Sequence, residues 1–140
     1  MKKKIIGWRE QVTLLDFDNT IVKAKMDTGA RTSSLHATHI KEFERNGITY
    51  VNFRIKVGME SENRFKHVIA KLKEWRKVRN SSGKTEFRPV IKTKILIGKQ
   101  KINTELTLTQ RSKMTYDMLI GRIAIKKKFI IDAGRSYIVG

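Results

Sequence analysis

No cysteine occurs among the 140 residues. Neither a disulfide framework nor a thiolate metal site can therefore hold this chain together, which fits a reducing compartment such as the cytoplasm. Proline is almost as scarce, with a single residue, and the nine glycines are dispersed. With no Gly/Ser/Pro-rich linker and no repeat, residues 1–140 read as one domain. Long apolar runs are missing too. The opening MKKKIIGWREQ has the basic start of an export signal, but its apolar stretch ends after Ile5 and Ile6. Nothing approaches the roughly 20 apolar residues needed to cross a bilayer, so a soluble protein with no membrane partner is expected. Acidic side chains are in short supply: 13 Asp and Glu stand against 31 Lys and Arg, a formal charge of +18. Such a balance attracts nucleic acid, acidic lipid head groups or acidic polypeptides without choosing among them. A solvated basic surface with no such partner accounts for it equally well.

What is present is mostly period-two alternation. Val22, Ala24 and Met26 alternate with Lys23, Lys25 and Asp27, and Val51, Phe53, Ile55 and Val57 with Asn52, Arg54 and Lys56. The pattern returns at Ile102, Thr104, Leu106 and Leu108, after a β-rich run over 90–97 and a turn marked by Gly98. Many short strands of this kind suggest a small barrel or sandwich. Residues 129–139 read as two further strands broken at Ala133 and Gly134. One segment disagrees, because Phe65, Val68, Ile69, Leu72 and Trp75 fall at the spacing of a basic amphipathic helix. Val68, Ala70 and Leu72 also allow a strand, so 65–75 stays open on pattern. A short helix is expected over 122–127.

Two segments carry candidate chemistry. Asp16-Phe17-Asp18-Asn19-Thr20, after Leu14 and Leu15, resembles the nucleophile motif of haloacid-dehalogenase-type phosphatases. That chemistry also needs Mg²⁺, a distant Lys and further carboxylates, and the downstream sequence has no Asp pair after an apolar strand. A turn between strands is the better reading of Asp18 and Asn19. The second segment, Asp27-Thr28-Gly29-Ala30, puts a carboxylate at the end of an alternating strand. Glycine permits a tight loop there, and the Thr28 hydroxyl can fix the loop's shape by a local hydrogen bond. Two such carboxylates facing each other share a proton, one acting as base to water and the other as acid to a carbonyl. A bare Asp-Thr-Gly is usually an ordinary turn. Met118-Leu119-Ile120-Gly121-Arg122 changes the balance, since its glycine lets an apolar strand run close behind the carboxylate loop.

Taken in order, five segments resemble a bacterial retropepsin-like aspartic protease family that has been labelled ATP-dependent zinc proteases. They are residues 23–37 around Asp27, Val78-Arg79-Asn80-Ser81-Ser82-Gly83, Arg88-Pro89-Val90-Ile91-Lys92-Thr93, Leu106-Thr107-Leu108-Thr109, and Met118-Leu119-Ile120-Gly121-Arg122. The resemblance implies a mainly β fold, a closed antiparallel barrel with a short helix near the C-terminus, and strand rather than helix over 65–75. It implies Asp27 as the catalytic residue, supported by Thr28, Gly29 and Ala30 and braced by Leu119, Ile120, Gly121 and Arg122. Ser81, Ser82 and Gly83 would form the tip of a flap. Zinc and ATP do not follow from the residues: three His, no Cys, no His-Glu-x-x-His and no Gly-rich loop ending in Lys-Ser/Thr are found, so no metal and no cofactor are expected. Asp132-Ala133-Gly134 lacks the Thr, and 140 residues are too few for two lobes. The second Asp27 must come from a second copy across a two-fold axis. The expected function is that of an aspartic endopeptidase acting as a homodimer on peptide or protein substrates. The alternative is a catalytically weak barrel that binds peptide or nucleic acid through its basic surface.

Overall fold

The computed structural model describes residues 2–57, 64–80, 82–110 and 115–139. Among them are eleven strands and one short helix: β1 (Lys4–Leu14), β2 (Thr20–Asp27), β3 (Ser33–His36), β4 (Thr38–Arg45), β5 (Ile48–Val57), β6 (Arg64–Lys71), β7 (Glu74–Arg79), β8 (Thr85–Ile97), β9 (Gln100–Thr109), β10 (Met118–Gly121), α1 (Arg122–Ile125) and β11 (Phe129–Ser136). The period-two reading holds where it was clearest. Val22, Ala24 and Met26 are buried on β2, as are Val51, Phe53 and Ile55 on β5.

Eight strands form one sheet in the order β11-β1-β2-β10-β3-β9-β8-β7, and β1 pairs additionally with β8, so the pairing returns on itself. Most pairings are antiparallel, as the resemblance implies, but β1–β11, β2–β10 and β3–β9 are parallel, so the eight-stranded sheet is mixed. β4, β5 and β6 make a separate antiparallel meander. Its inner face joins the same hydrophobic core, where Phe53 meets Phe17 edge-on at 5.8 Å between ring centroids.

The turn between β1 and β2 absorbs the phosphatase-like segment. Asp18 and Asn19 have φ of 53° and 57°, a left-handed conformation that these two residue types tolerate. The Asp16 carboxylate accepts hydrogen bonds from the Thr93 hydroxyl (3.1 Å) and the Lys94 amide (3.0 Å), tying the turn to β8. Asp16 thus works as a fastening between strands.

One open reading is resolved in favour of the strand that the resemblance implies, and two local expectations are corrected. The helical spacing over 65–75 does not make a helix; β6 and β7 occupy it, with Val68 buried while Phe65, Ile69 and Trp75 are exposed. β6 pairs with β5 and β7 with β8, each along one edge, and these ladders outweigh the helical pattern. The two strands foreseen over 129–139 are one, β11. Its register against β1 jumps from Gly7↔Asp132 to Arg9↔Ser136, so Ala133 and Gly134 sit in a bulge instead of a break. Gly7 is needed opposite, since a β-carbon there would lie 2.5 Å from the Arg135 carbonyl oxygen. The helix expected over 122–127 ends at Ile125. Among the described residues no helix is long and apolar enough to cross a membrane.

Candidate active site

β2 carries Asp27 as its last residue, and alternation sends Met26 into the core while Asp27 stays half-exposed. The chain then turns sharply, the Ala30 amide donating to the Asp27 carbonyl at 3.2 Å. Gly29 lies directly beneath the carboxylate: a β-carbon on it would be 3.4 Å from Asp27 Oδ1. Thr28 supports the loop through its carbonyl rather than through the hydroxyl, which makes no hydrogen bond among the described residues.

β10 and α1 hold this loop from behind. β10 runs parallel to β2 with Ile120 beside Met26 and Gly121 beside Asp27, while Leu119 faces Lys25 on one side and Ser34 on the other. Met118 and Ile120 are fully buried. Gly121 approaches the loop so closely that a β-carbon would come within 2.6 Å of the Thr32 carbonyl carbon and 2.8 Å of the Arg31 oxygen. Its amide donates to Ser33 Oγ at 2.9 Å in a buried site. The first amides of α1, which have no partner inside the helix, donate to the loop instead: Arg122 to the Ala30 carbonyl (2.8 Å) and Ile123 to the Arg31 carbonyl (3.2 Å). The Arg122 guanidinium adds bonds to the carbonyls of Thr28 (3.1 Å) and Gly29 (3.4 Å). The carbonyls of Thr28, Gly29, Ala30 and Arg31 are thus satisfied by α1, and the Asp27 carboxylate makes no hydrogen bond among the described residues.

The Ser82 and Gly83 positions lie at the tip of the β7–β8 hairpin, while Ser81 lies outside the described residues. Asn80 shapes this tip, its Oδ1 accepting from the Ser82 amide (3.0 Å), the Ser82 hydroxyl (2.7 Å) and the Lys84 amide (3.1 Å). Gly83 takes a φ of 84°, which glycine adopts without strain. Of two cavities, of about 450 and 290 Å³, the larger is lined in part by Thr32 and Ile123 beside the loop, and Asp27, half-exposed, lines neither. Asp132 turns back on its own bulge, its Oδ1 accepting from the Gly134 amide at 2.9 Å.

The chain belongs to the RimB-like retropepsin family. The family described as retropepsin-like aspartic endopeptidase RimB matches residues 5–140. The chain is also similar to proteins named probable alpha-L-glutamate ligase. It is 36% identical over 138 residues to one from Shewanella pealeana and 35% identical over 141 residues to one from Desulfotalea psychrophila, each match covering 99% of this chain and 30% of the relative. The chain thus spans about three tenths of the length of those curated relatives. A crystal structure of a Legionella pneumophila protein of unknown function, Lpg0085, superposes with a TM-score of 0.80 at 29% identity, covering 99% of this chain and all of the other.

Sequence reasoning missed several residues that this RimB-like fold uses. Ser33 receives the Gly121 amide, and Thr107 Oγ1 donates to the Ser33 carbonyl at 3.4 Å. Glu10 is fully buried, yet its carboxylate accepts the amides of Gly7 (2.7 Å), Ile138 (3.0 Å) and Val139 (3.3 Å), pinning the end of the chain. Arg9 bonds the Tyr116 hydroxyl at 2.9 Å and lies over the rings of Trp8 and Tyr137. None of these carries a motif. Only a buried charge at an inward position, as at Glu10, would have drawn attention.

Proposed function

We propose that this chain is an aspartic endopeptidase protomer, closed into a barrel, that works in the cytoplasm as a homodimer with the Asp27 carboxylates of two copies forming one dyad. The observation that carries the reading is the way the Asp27 loop is braced from behind by Gly121, Arg122 and Ser33 while its carboxylate, at a half-exposed position, makes no hydrogen bond among the described residues. One protomer supplies one such carboxylate, and two are needed. In the dyad, facing carboxylates share a proton. The unprotonated one takes a proton from water as the water oxygen attacks the peptide carbonyl carbon, and the protonated one gives its proton to the carbonyl oxygen. The tetrahedral intermediate then collapses: the C–N bond breaks, the departing amine nitrogen takes the proton held by the first carboxyl, and the second carboxylate takes back a hydroxyl proton, restoring the dyad. The β7–β8 tip, at Ser82 and Gly83, acts as the flap that covers the substrate and excludes water.

Acidic, glutamate-bearing peptides are the substrate class that fits. The chain carries +18, and the relatives it matches are named for joining glutamate, a bond-forming reaction that a peptidase reverses by hydrolysis. The test is cleavage of a glutamate-rich peptide by the purified protein, followed by mass spectrometry. Asp27→Asn, nearly the same shape, should reduce the rate by several orders of magnitude while leaving the circular-dichroism spectrum unchanged. Cleavage that persists in Asp27→Asn overturns the assignment of Asp27. No cleavage by either protein favours the alternative, a retropepsin-fold binding module.

A further inference from the structure

The three-stranded sheet presents a face that the core does not use. On β5 Val51, Phe53 and Ile55 point into the core, so Tyr50, Asn52 and Arg54 stand on the opposite side. The registers extend that side across the sheet: Lys41, Phe43 and Arg45 of β4 oppose Asn52, Tyr50 and Ile48, while His67, Ile69 and Lys71 of β6 oppose Arg54, Asn52 and Tyr50. Phe65 and Ile69 are 54% and 52% exposed. Phe43 and Tyr50 are stacked, with centroids 5.6 Å apart and planes at 21°, and the Arg45 guanidinium lies 5.5 Å from the Phe43 ring.

Charge of one sign marks this face. Elsewhere some cations are paired: Lys73 with Glu105, Arg76 with Glu74 and Glu105, and Arg88 with Glu86. Lys41, Arg45, Arg54 and Lys71 have no ion pair among the described residues. Glu42 and Glu44 of β4 do not offset them, because they pair with Val51 and Thr49 and so belong to the other side of the sheet. No described residue on the outer face is acidic.

We propose that the outer face of β4, β5 and β6 binds single-stranded RNA. Unpaired bases stack on Phe43, Tyr50, Phe65 and Ile69, and the surrounding Lys and Arg neutralise phosphates. A flat sheet of this kind suits splayed bases and cannot enter the deep, narrow groove of a duplex. A second copy of the chain is a poor occupant, because two faces bearing only cations repel. An acidic polypeptide would meet the cations but leave the exposed aromatic surface unused. This surface is separate from Asp27 and does not depend on the peptidase reading.

The test is fluorescence anisotropy of a labelled oligouridylate of about 12 nucleotides titrated with the purified protein over a salt series. Binding should weaken steeply with salt. Arg54→Gln with Lys71→Gln should reduce affinity about tenfold and flatten the slope of log affinity against log salt by about 1.4. Phe65→Ala should weaken binding about tenfold with the slope unchanged, and Phe65→Trp should restore it. Lys99→Glu, in the β8–β9 turn, should change affinity less than twofold, and Asp27→Asn should bind RNA as the parent does. Equal losses in Lys99→Glu and the sheet variants would reduce the effect to diffuse charge and overturn the proposal. So would absence of binding at low salt, or an oligoglutamate that binds this face and is not displaced by RNA.

Discussion

At Gly121 the missing side chain is a geometric requirement. A β-carbon would meet the Thr32 carbonyl carbon at 2.6 Å and the Ser33 amide nitrogen at 2.9 Å, both backbone atoms that cannot rotate away. Gly121→Ala can be accommodated only by moving the Asp27 loop or by lifting β10 off β2. It is expected to lower the unfolding free energy by about 1–3 kcal/mol, seen as a lower urea midpoint, and to slow peptide cleavage through displacement of Asp27. A parental midpoint with parental activity would mean that the close approach of β10 to the loop is not kept in solution. Asp27 and Gly121 were legible in the sequence because each lies in a short local motif. Ser33 and Glu10 were not, because their partners lie far along the chain: 88 residues separate Ser33 from Gly121, and 128 separate Glu10 from Ile138. A lone Ser or Glu gives no local sign of such a bond.

Between elements, β7 and β9 are joined mainly by charge. Glu105 on β9 receives hydrogen bonds from Arg76 and Lys73, and these hold its carboxyl well below the usual 4.5, at about 2. The Arg76 guanidinium is correspondingly raised by its bond to Glu105. A depressed carboxyl pKa stabilises the fold above the unfolded value, and the contribution is lost as pH falls from about 4.5 through about 2. The Lys73 side chain is 37% exposed, so solvent and salt screen the pair and the effect should stay under about 1 kcal/mol. Glu105→Gln should therefore lose less stability than the parent between pH 5 and pH 2, measured as the shift in urea midpoint, and added salt should shrink the difference. Identical pH profiles would show that the ion pairs contribute nothing. The same region explains why 65–75 resisted reading. Its apolar residues satisfy both the 3.6 and the 2.0 period, and only the pairing partners on β5 and β8, supplied by distant sequence, decide between them. At 129–139 the local turn signal of Ala133-Gly134 was real, but a bulge absorbed it because β1 continues alongside.

For the whole molecule, alternation made the β class legible, whereas strand order was not. Alternation fixes which face of a strand is buried but says nothing about its neighbours, so β10 slotting between β2 and β3 could come only through the resemblance. The same gap separates one protomer's chemistry from the proposed activity, because no residue pattern within a chain reports how a second copy sits. Subunit mixing closes it. If one dyad needs an Asp27 from each copy, a dimer containing one Asp27→Asn chain is inactive, and activity follows the square of the parental fraction. After the two proteins are unfolded together and refolded in equal amounts, about a quarter of the activity should remain for a two-fold assembly with random pairing. Activity that falls only to half would mean that each chain acts alone, leaving Asp27 to work without a partner carboxylate. The measurement is independent of substrate, since any peptide cleaved by the parental protein reports it. A series of mixtures guards against modest differences in folding yield, because the quadratic and linear laws have different shapes over the whole range and differ most near equal fractions.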